Sequence, residues 1–331
     1  MPLSKYALFL VFYMILNASP IICQNKLFDD FWKVDDTLNE TRLTTLAATS
    51  AITYIGTTLA FNELWYKDYP RVKFHLKDDW ILWEQVDKYG HAFSAYQSAK
   101  MGYNAFEWTG ISDKKAVFIG TGISVALMNT LEIMDGFSEG WGFSLYDAGF
   151  NTFGTALFTS QQLAWKEQRI SLKWSSTRPK YATTPIATND PTFFGSQQYA
   201  AEGHYGKYFW EYAFKDYNAM TIWASISPAS FFMEREKKNM LRSMCLSFGF
   251  GGENIYGAAY NNYHDKEGRI TSVGLPRYKQ FYLSIDINTE MIPSKSKFLR
   301  TVFKALNFIK IPAPAIELNT LGKFKFHPIR W

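Results

Sequence analysis

The first half of the chain consists of long stretches in which charged residues are almost absent. Residues 43–62 and 116–131 contain no charged side chain, and residues 144–165 contain a single one. A more polar stretch at 83–108 has a similar length, and all four are long enough for helices. Small residues are frequent in them and allow helices to approach closely. The pattern predicts an apolar four-helix bundle over residues 40–166.

The second half has a different pattern, in which apolar and polar residues alternate. Residues 244–250 and 281–287 place an apolar side chain at every second position. A period of two is typical of a strand that buries one face, so we expect these apolar side chains in a core. The glycines of residues 249–252 lack the Lys-Ser/Thr of a phosphate loop and are predicted to form a turn or bulge.

Residues 175–192 separate the two halves. They are rich in Ser, Thr and Pro and keep neither period, which predicts a linker or long loop. The expected fold is α+β, with the N-terminal apolar four-helix bundle followed by a mixed, strand-containing α/β region at 193–331.

The N-terminus has the layout of a secretory signal. Lys5 precedes an uncharged apolar run at 6–16, and small and turn-forming residues follow. We expect a signal peptide at 1–23, cleaved after Cys23, although retention of Cys23 as a lipid-modified first residue is the alternative. Either outcome predicts export from the cytoplasm to the cell envelope.

Charge and cysteine content exclude several classes of protein. Lys and Arg number 35 and Asp and Glu number 30, so the net charge is only +5, and nucleic acid is not an expected partner. Cleavage after Cys23 leaves only Cys245, which excludes a disulfide scaffold and is expected to be a small core or sheet residue.

Two segments suggest contact with membrane lipid. Residues 43–62 are twenty uncharged residues, long enough to span a bilayer, although seven are Ser or Thr and the mean hydropathy of the chain is −0.18. Residues 295–310 form a basic amphipathic segment that fits an anionic membrane surface. The second segment fits a helix packed on the sheet better than a membrane helix. Membrane lipid is the expected partner of the chain, and a soluble, unusually apolar bundle in the periplasm is the alternative.

Three of the four predicted helices carry a polar pair at helical spacing. Asp87 and His91 are four residues apart, Glu132 and Asp135 three, and Asp147 and Asn151 four. Residues at these spacings share a helix face. The pairs are expected to converge, with Lys88 and Gly154 as further members of the same cluster.

Carboxylates and imidazole point to three uses of this cluster. They are ligands for divalent metals, with His91, Glu132, Asp135 and Asp147 as candidates. A close acid pair can also raise one pKa and supply a general acid. The alternative is structural, with Asp147 capping its helix and Asp87 paired to a neighbour.

The same residues resemble the YfiM-like family of predicted periplasmic lipoproteins, a bacterial family of unknown function. The resemblance rests on D-K-x-x-H from Asp87, E-x-x-D from Glu132, and W-G-F-S-x-x-D-x-x-x-N-x-x-G at 141–154, and it covers about residues 40–165. K-D-Y-N at 215–218 and I-K-I-P-A-P-A-I-E at 309–317 are similar to longer Gram-negative members. The resemblance implies a place in the envelope and implies no reaction.

Two functions follow from the sequence. The first is a structural or scaffolding envelope protein, in which the polar cluster holds a membrane-associated bundle together. The second is a metal-assisted envelope hydrolase acting on lipid or glycan, in which Asp87, His91, Glu132, Asp135 and Asp147 hold metal or move protons. Convergence of these side chains on an open pocket favours the enzyme.

Overall fold

The computed structural model describes residues 31–67, 69–187, 192–213, 215–236, 240–272 and 274–331. The predicted signal peptide and its cleavage site at Cys23 lie outside the described residues. Within them, helices dominate the N-terminal part and strands the C-terminal part.

The four long helices predicted in the first half are present. They are α1 (Glu40–Phe61), α2 (Val86–Glu107), α3 (Asp113–Gly136) and α4 (Leu145–Trp165). Side chains cap two of them: Asn39 Oδ1 accepts from the Arg42 amide, and Ser144 Oγ accepts from the Asp147 amide.

Glycines bring α2 into close contact with its two neighbours. A Cβ on Gly120 of α3 would lie 2.4 Å from the Ala99 carbonyl oxygen, and a Cβ on Gly154 of α4 would lie 2.0 Å from that of Ala92. Only glycine permits such backbone approach, which confirms the expected role of small residues. Gly154 is therefore a packing residue and not a polar member of the candidate site.

Helix α1 does not complete a tightly packed four-helix bundle. None of its residues is buried, and its glycine, Gly56, has open space where a Cβ would lie. The apolar residues Ile52, Ile55 and Leu59 of α1 are exposed. The small residues that bring α2, α3 and α4 together are not used in this way by α1, so three helices pack closely and the fourth lies beside them.

The C-terminal part contains a six-stranded antiparallel sheet in the order β1-β2-β3-β6-β7-β8. Its strands are β1 (Ile170–Ser176), β2 (Met220–Ile226), β3 (Met244–Glu253), β6 (Tyr278–Ile287), β7 (Ala313–Asn319) and β8 (Phe324–Arg330). A separate hairpin joins β4 (Asn262–His264) and β5 (Ile270–Ser272). The shorter helices are α5 (Gln197–Tyr205), α6 (Phe209–Tyr212), α7 (Met240–Ser243) and α8 (Lys297–Leu306).

The predicted burial of the strands is reversed in β3 and β6. Met244, Leu246 and Phe248 of β3 are exposed, whereas Cys245 and Ser247 between them are buried. The same holds in β6, where Phe281, Leu283 and Ile285 are exposed. The expectation that these apolar side chains lie in a core is wrong except at Phe250, which is buried, because the helices cover only the part of the sheet near β1, β2 and Phe250.

The buried face of the sheet is largely polar, around a small apolar cluster of Trp223, Tyr282 and Ala315. Lys173 Nζ lies 2.9 Å from Asp286 Oδ2, and both side chains are completely buried. Ser225 shares a hydrogen bond of 2.7 Å with Ser247 and donates to Asp286. Lys310 is also buried and donates to the carbonyl oxygens of Ile285 and Ile311. Cys245 lies on this face, as the expected small sheet residue.

Two further segments have a defined place. Residues 249–252 form no turn or bulge: they continue β3 in regular register, and a Cβ on Gly249 would lie 2.7 Å from the Trp223 ring. The basic helix α8 buries Leu299 and Phe303, and its Lys304 lies 3.2 Å from Glu107 of α2. It is thus a helix packed within the domain.

Candidate active site

The polar pairs of α2, α3 and α4 meet where the three helices pack together. We call this group the acid–histidine cluster; it consists of Asp87, Lys88, His91, Glu132, Asp135, Asp147 and Asn151. Its centre is His91, whose ring lies near a carboxylate or amide from each of the other two helices. The convergence expected from helix spacing is therefore present.

Two groups hold one side of the His91 ring. Its Nδ1 lies 3.1 Å from Asn151 Oδ1 and 3.3 Å from Glu132 Oε1, and Asn151 Nδ2 donates to the same Glu132 oxygen at 3.1 Å. A proton on Nδ1 has an acceptor in this arrangement. Nε2 then points away from this pair, 3.9 Å from Asp87 Oδ1 and 3.8 Å from Asp147 Oδ1.

Lys88 forms the base of the cluster. Its side chain is completely buried, and Nζ lies 2.7 Å from Asp147 Oδ1 and 3.1 Å from Asp87 Oδ2. It also pairs with Asp79, which in turn accepts a hydrogen bond of 2.6 Å from Ser144 Oγ. A buried ammonium requires such partners, because an unpaired charge in a protein interior is costly.

The carboxylates of the cluster outnumber its cations. Five carboxyl groups, with Asp79 included, lie around two cationic side chains, Lys88 and His91. Burial of the His91 ring opposes its charged form, but the carboxylates, led by Asp147 and Asp87, outweigh this effect and raise the pKa of His91 to about 9. The His91 ring is thus protonated and positively charged at neutral pH.

Three of the carboxyl groups, on Glu132, Asp135 and Asp147, have raised pKa values and hold protons more tightly than usual. Burial raises the pKa of Asp147, against the opposing effect of His91. Burial likewise raises the pKa of Asp135 to about 7, although the Tyr66 hydroxyl donates to Asp135 Oδ1 at 2.8 Å and opposes the shift. The site therefore contains several groups that exchange protons near neutral pH.

A pocket of about 570 Å³ opens onto one side of the cluster. Asp87, His91, Asp135 and Asp147 line it, whereas Lys88, Glu132 and Asn151 do not. Most of the remaining wall is apolar and comes from both halves of the chain: Leu82, Trp83, Phe93, Leu127, Met128, Leu131, Trp174, Met220 and Ile222. The cluster thus has a layer that reaches the pocket and a layer behind it.

A strained turn leads into this site. Trp83, Glu84 and Gln85 have φ values of 52°, 52° and 65°, in the left-handed region that is unfavourable for side chains other than glycine. Each is held by a contact from the second half. The Trp83 amide donates to the Ala258 carbonyl at 2.9 Å, Arg277 lies 3.1 Å from Glu84, and Lys279 Nζ lies 2.6 Å from Gln85 Oε1.

The sequence patterns did not identify three contributors to the site. Asp79 lies in the loop before α2, Tyr66 follows α1, and Tyr217, whose hydroxyl donates to Asp87 Oδ1 at 3.0 Å, lies in the second half. Tyr217 belongs to the K-D-Y-N segment at 215–218, whose similarity to longer family members was the available signal.

Three residues of the cluster have the geometry of a cation site. One ligand atom from each of Asp87, His91 and Asp147 lies within 4.8 Å of the others. Zinc bonds of 2.0–2.1 Å in a tetrahedron would require ligand atoms about 3.3 Å apart, so small movements would suffice. The oxygens that accept from Nδ1 of His91, on Asn151 and Glu132, resemble the outer contacts that orient metal-binding histidines. Lys88 contacts the same Asp147 oxygen and would have to share or yield it.

Glu132 and Asp135, also proposed as metal ligands, are placed differently. Glu132 lies behind His91 on the Nδ1 side, and Asp135 interacts with Tyr66. Neither belongs to the group of three whose ligand atoms lie close together.

Comparison with known families gives a match for one part of the chain. Residues 83–161 match the model of a family described as "Predicted periplasmic lipoprotein (DUF2279)". The match begins at the strained turn and ends in α4, and it is shorter than the resemblance at 40–165. No curated protein and no solved structure matches the chain. All seven residues of the acid–histidine cluster lie within a segment that matches a family of predicted periplasmic lipoproteins.

Proposed function

We propose that this protein is a membrane-associated hydrolase of the cell envelope, with Asp87, His91 and Asp147 as its reactive groups. One observation carries the proposal: the three side chains reach a pocket whose remaining walls are largely apolar. Lys88, Glu132 and Asn151 contact them from behind and orient them. A reactive layer oriented by a second set of hydrogen bonds is typical of catalytic sites.

The chemistry of these groups suits hydrolysis. Hydrolysis requires a base that accepts a proton from water and an acid that donates one to the leaving group. His91, which is charged at neutral pH, is the proposed acid. Asp147, whose pKa is raised towards neutrality, is the proposed base when it is ionised. Asp87 balances the charge of His91 and accepts from Tyr217.

The walls of the pocket favour a lipid over a glycan as substrate. Leu127, Met128 and Leu131 of α3 and Phe93 of α2 supply apolar surface next to the reactive groups. An acyl chain would lie along these walls, with its polar ester group near His91. In an alternative to this acid and base pair, a divalent cation held by Asp87, Asp147 and a neutral His91 would take the place of the charged histidine and polarise that group.

A structural role is the second candidate, and Lys88 is the observation that favours it. Lys88 pairs with three carboxylates, which is a sufficient reason for their burial without any reaction. In that case the cluster would only join α2 to α4 and to the loop that carries Asp79.

Activity measurements on three variants distinguish the two functions. The full-length exported protein, in mild detergent, is incubated with phospholipids, and released fatty acids and phosphorylated products are measured with and without a chelator. His91→Gln and Asp147→Asn should each lower turnover by about 100-fold or more. Met101→Gln, on an exposed position of α2, is the matched control and should retain activity.

Two results would contradict the proposed hydrolase activity. If the wild type releases no product from any phospholipid offered, or if His91→Gln and Asp147→Asn retain full turnover, the cluster is structural. Metal analysis of the same samples tests the cation: a bound metal should be lost from both variants and retained by Met101→Gln.

A further inference from the structure

The six-stranded sheet has one face that is apolar across all of its strands. The strand register aligns two apolar rows on this face. The first row is Leu172, Ala224, Phe248, Leu283, Ile316 and Phe326. The second row is Trp174, Ile222, Phe250, Phe281, Leu318 and Phe324.

Exposure of these rows is low at β1 and highest at β8, and Phe250 of β3 is still buried. Leu172 and Trp174 of β1 are each 6% exposed, because α2 and its neighbours pack on them. Phe248 of β3 is 49% exposed, and Phe326 and Phe324 of β8 are 60% and 69% exposed. The helices therefore cover one end of an apolar face, and most of it remains uncovered.

The opposite face of the sheet is buried and largely polar, with a small apolar cluster of Trp223, Tyr282 and Ala315. It buries the Lys173–Asp286 ion pair, Ser225 and Ser247, and Glu317 with its partner His327 at 2.6 Å. An antiparallel sheet in water normally has the reverse arrangement, with polar side chains outside. The outer face of this sheet therefore suits apolar surroundings better than water.

The helices also expose apolar side chains. Phe118 and Val125 of α3 and Phe153 of α4 are exposed, as are the apolar residues of α1. Helix α3 is, by length and composition, the one helix among the described residues that could cross a membrane. Apolar surface thus occurs on the sheet and on separate helices. A folded protein partner fits one surface patch, whereas hydrocarbon covers all of them.

We propose that the uncovered face of β3, β6, β7 and β8 rests in the lipid hydrocarbon at the surface of a bilayer. Strand β8 ends the described sheet, and unpaired backbone groups at a strand edge are costly deep inside hydrocarbon. The face therefore lies at the interface and does not cross the bilayer. This inference concerns a surface separate from the acid–histidine cluster and stands without the proposed hydrolase activity.

Fluorescent probes on single cysteines test this contact. Cys245 is buried, so added surface cysteines can be labelled selectively. Phe248→Cys and Phe326→Cys place a probe on the apolar face, and Tyr260→Cys, which is highly exposed outside the sheet, is the control. The labelled mature proteins, in which Cys23 is removed or blocked by lipid, are bound to phosphatidylethanolamine–phosphatidylglycerol vesicles whose acyl chains carry bromine at a shallow or a deep position.

The proposal expects strong quenching of the probes at 248 and 326 by shallow bromines and weak quenching at 260. Equal quenching at all three positions would overturn the contact, and stronger quenching by deep bromines would overturn its interfacial depth. A second copy is the competing occupant. If the probes at 248 and 326 are shielded from aqueous iodide without lipid, and sedimentation shows a dimer, the face is a protein interface and the proposal fails.

Charge on the face supplies an independent measurement. Phe248→Asp combined with Leu283→Asp should weaken vesicle binding at least tenfold, because hydrocarbon contact would require a carboxylate to lose water. Tyr260→Asp combined with Phe232→Asp changes two exposed residues outside the sheet and should bind like the wild type. Circular dichroism confirms the fold of each variant, and unchanged binding of the first pair would contradict the proposal.

Discussion

Single residues of the acid–histidine cluster carry charges that the protein interior alone would not tolerate. Lys88 is buried, yet Asp87 and Asp147 outweigh the effect of burial and raise its pKa. His91 is charged for the same reason. At Glu132 burial is the larger effect: it raises the pKa of this carboxyl group, although His91 and Asn151 oppose the shift. Removing one member therefore changes the protonation of the others.

Glu132→Ala measures how much one residue of the acid–histidine cluster contributes to the stability of the protein. The substitution leaves His91 Nδ1 with fewer acceptors and opens space beside a charged ring, so we expect the free energy of unfolding to fall by about 3–5 kcal/mol. Glu132→Gln keeps the shape and should cost less. Glu139→Ala, on an exposed residue beyond the end of α3, is the control and should change stability by less than about 0.5 kcal/mol. Chemical denaturation measures all three, and a wild-type value for Glu132→Ala would show that the cluster contributes little to stability.

The raised pKa of His91 predicts a pH dependence with a definite sign. A histidine that holds its proton more tightly when folded stabilises the protein fully below pH 6.5, and this contribution is lost as pH rises through about 9. The stability difference between wild type and His91→Gln should therefore shrink between pH 6.5 and 9, by at most about 1.4 kcal/mol per unit. Denaturation at several pH values measures it; a difference that grows with pH would mean that His91 is neutral in the folded protein.

The sequence predicted some of these residues and missed others for a physical reason. Asp87 with His91, and Glu132 with Asp135, are local pairs, and helix geometry alone places each on one face. Tyr217 and Asp79 reach the site from loops distant in sequence, where no periodic pattern exists. Long-range contacts of this kind depend on how elements pack, which a single sequence does not reveal.

At the scale of elements, helix contacts are controlled by particular glycines. Gly154 and Gly149 both lie in α4, but only Gly154 faces another backbone. The existence and bounds of the four helices followed from the sequence, because uncharged length and caps are local signals. The marginal place of α1 and the reversed burial of β3 did not, since a period of two identifies two faces without saying which one is covered.

The pair Gly154→Ala and Gly149→Ala measures the contact between α2 and α4. A methyl group at 154 would lie 2.0 Å from the Ala92 carbonyl oxygen and force the helices apart, at a cost of about 1–3 kcal/mol or more. At 149 nothing lies within 4 Å, so alanine should stabilise the helix by about 0.5–1 kcal/mol. Thermal unfolding compares the two variants. Equal effects of the same sign would mean that α2 and α4 do not approach as closely as described.

At the scale of the whole molecule, large apolar side chains lie on the surface while several ion pairs are buried. Ion pairs are buried both among the helices, at Lys88, and behind the sheet, at Lys173. The exported location indicated by the family match to residues 83–161 is consistent with a protein that meets an envelope membrane.

Fractionation with salt tests the membrane attachment of the whole chain. High salt screens charges but does not weaken apolar contact, so the mature protein should remain with membranes after a high-salt wash. Detergent should release it. Full release by salt alone would show that only surface charge holds the protein to the membrane.

The left-handed turn before α2 limits how this chain can be recombined with others. Trp83, Glu84 and Gln85 each carry a conformational cost of about 1–2 kcal/mol, which contacts from residues 258–279 offset. The turn lies at the first residues of the segment that matches the family, whereas its supports lie outside that segment. A chimera that keeps the three helices but takes its C-terminal half from another protein would inherit the strain without the supports. Such exchanges should succeed only when the turn and its supports move together.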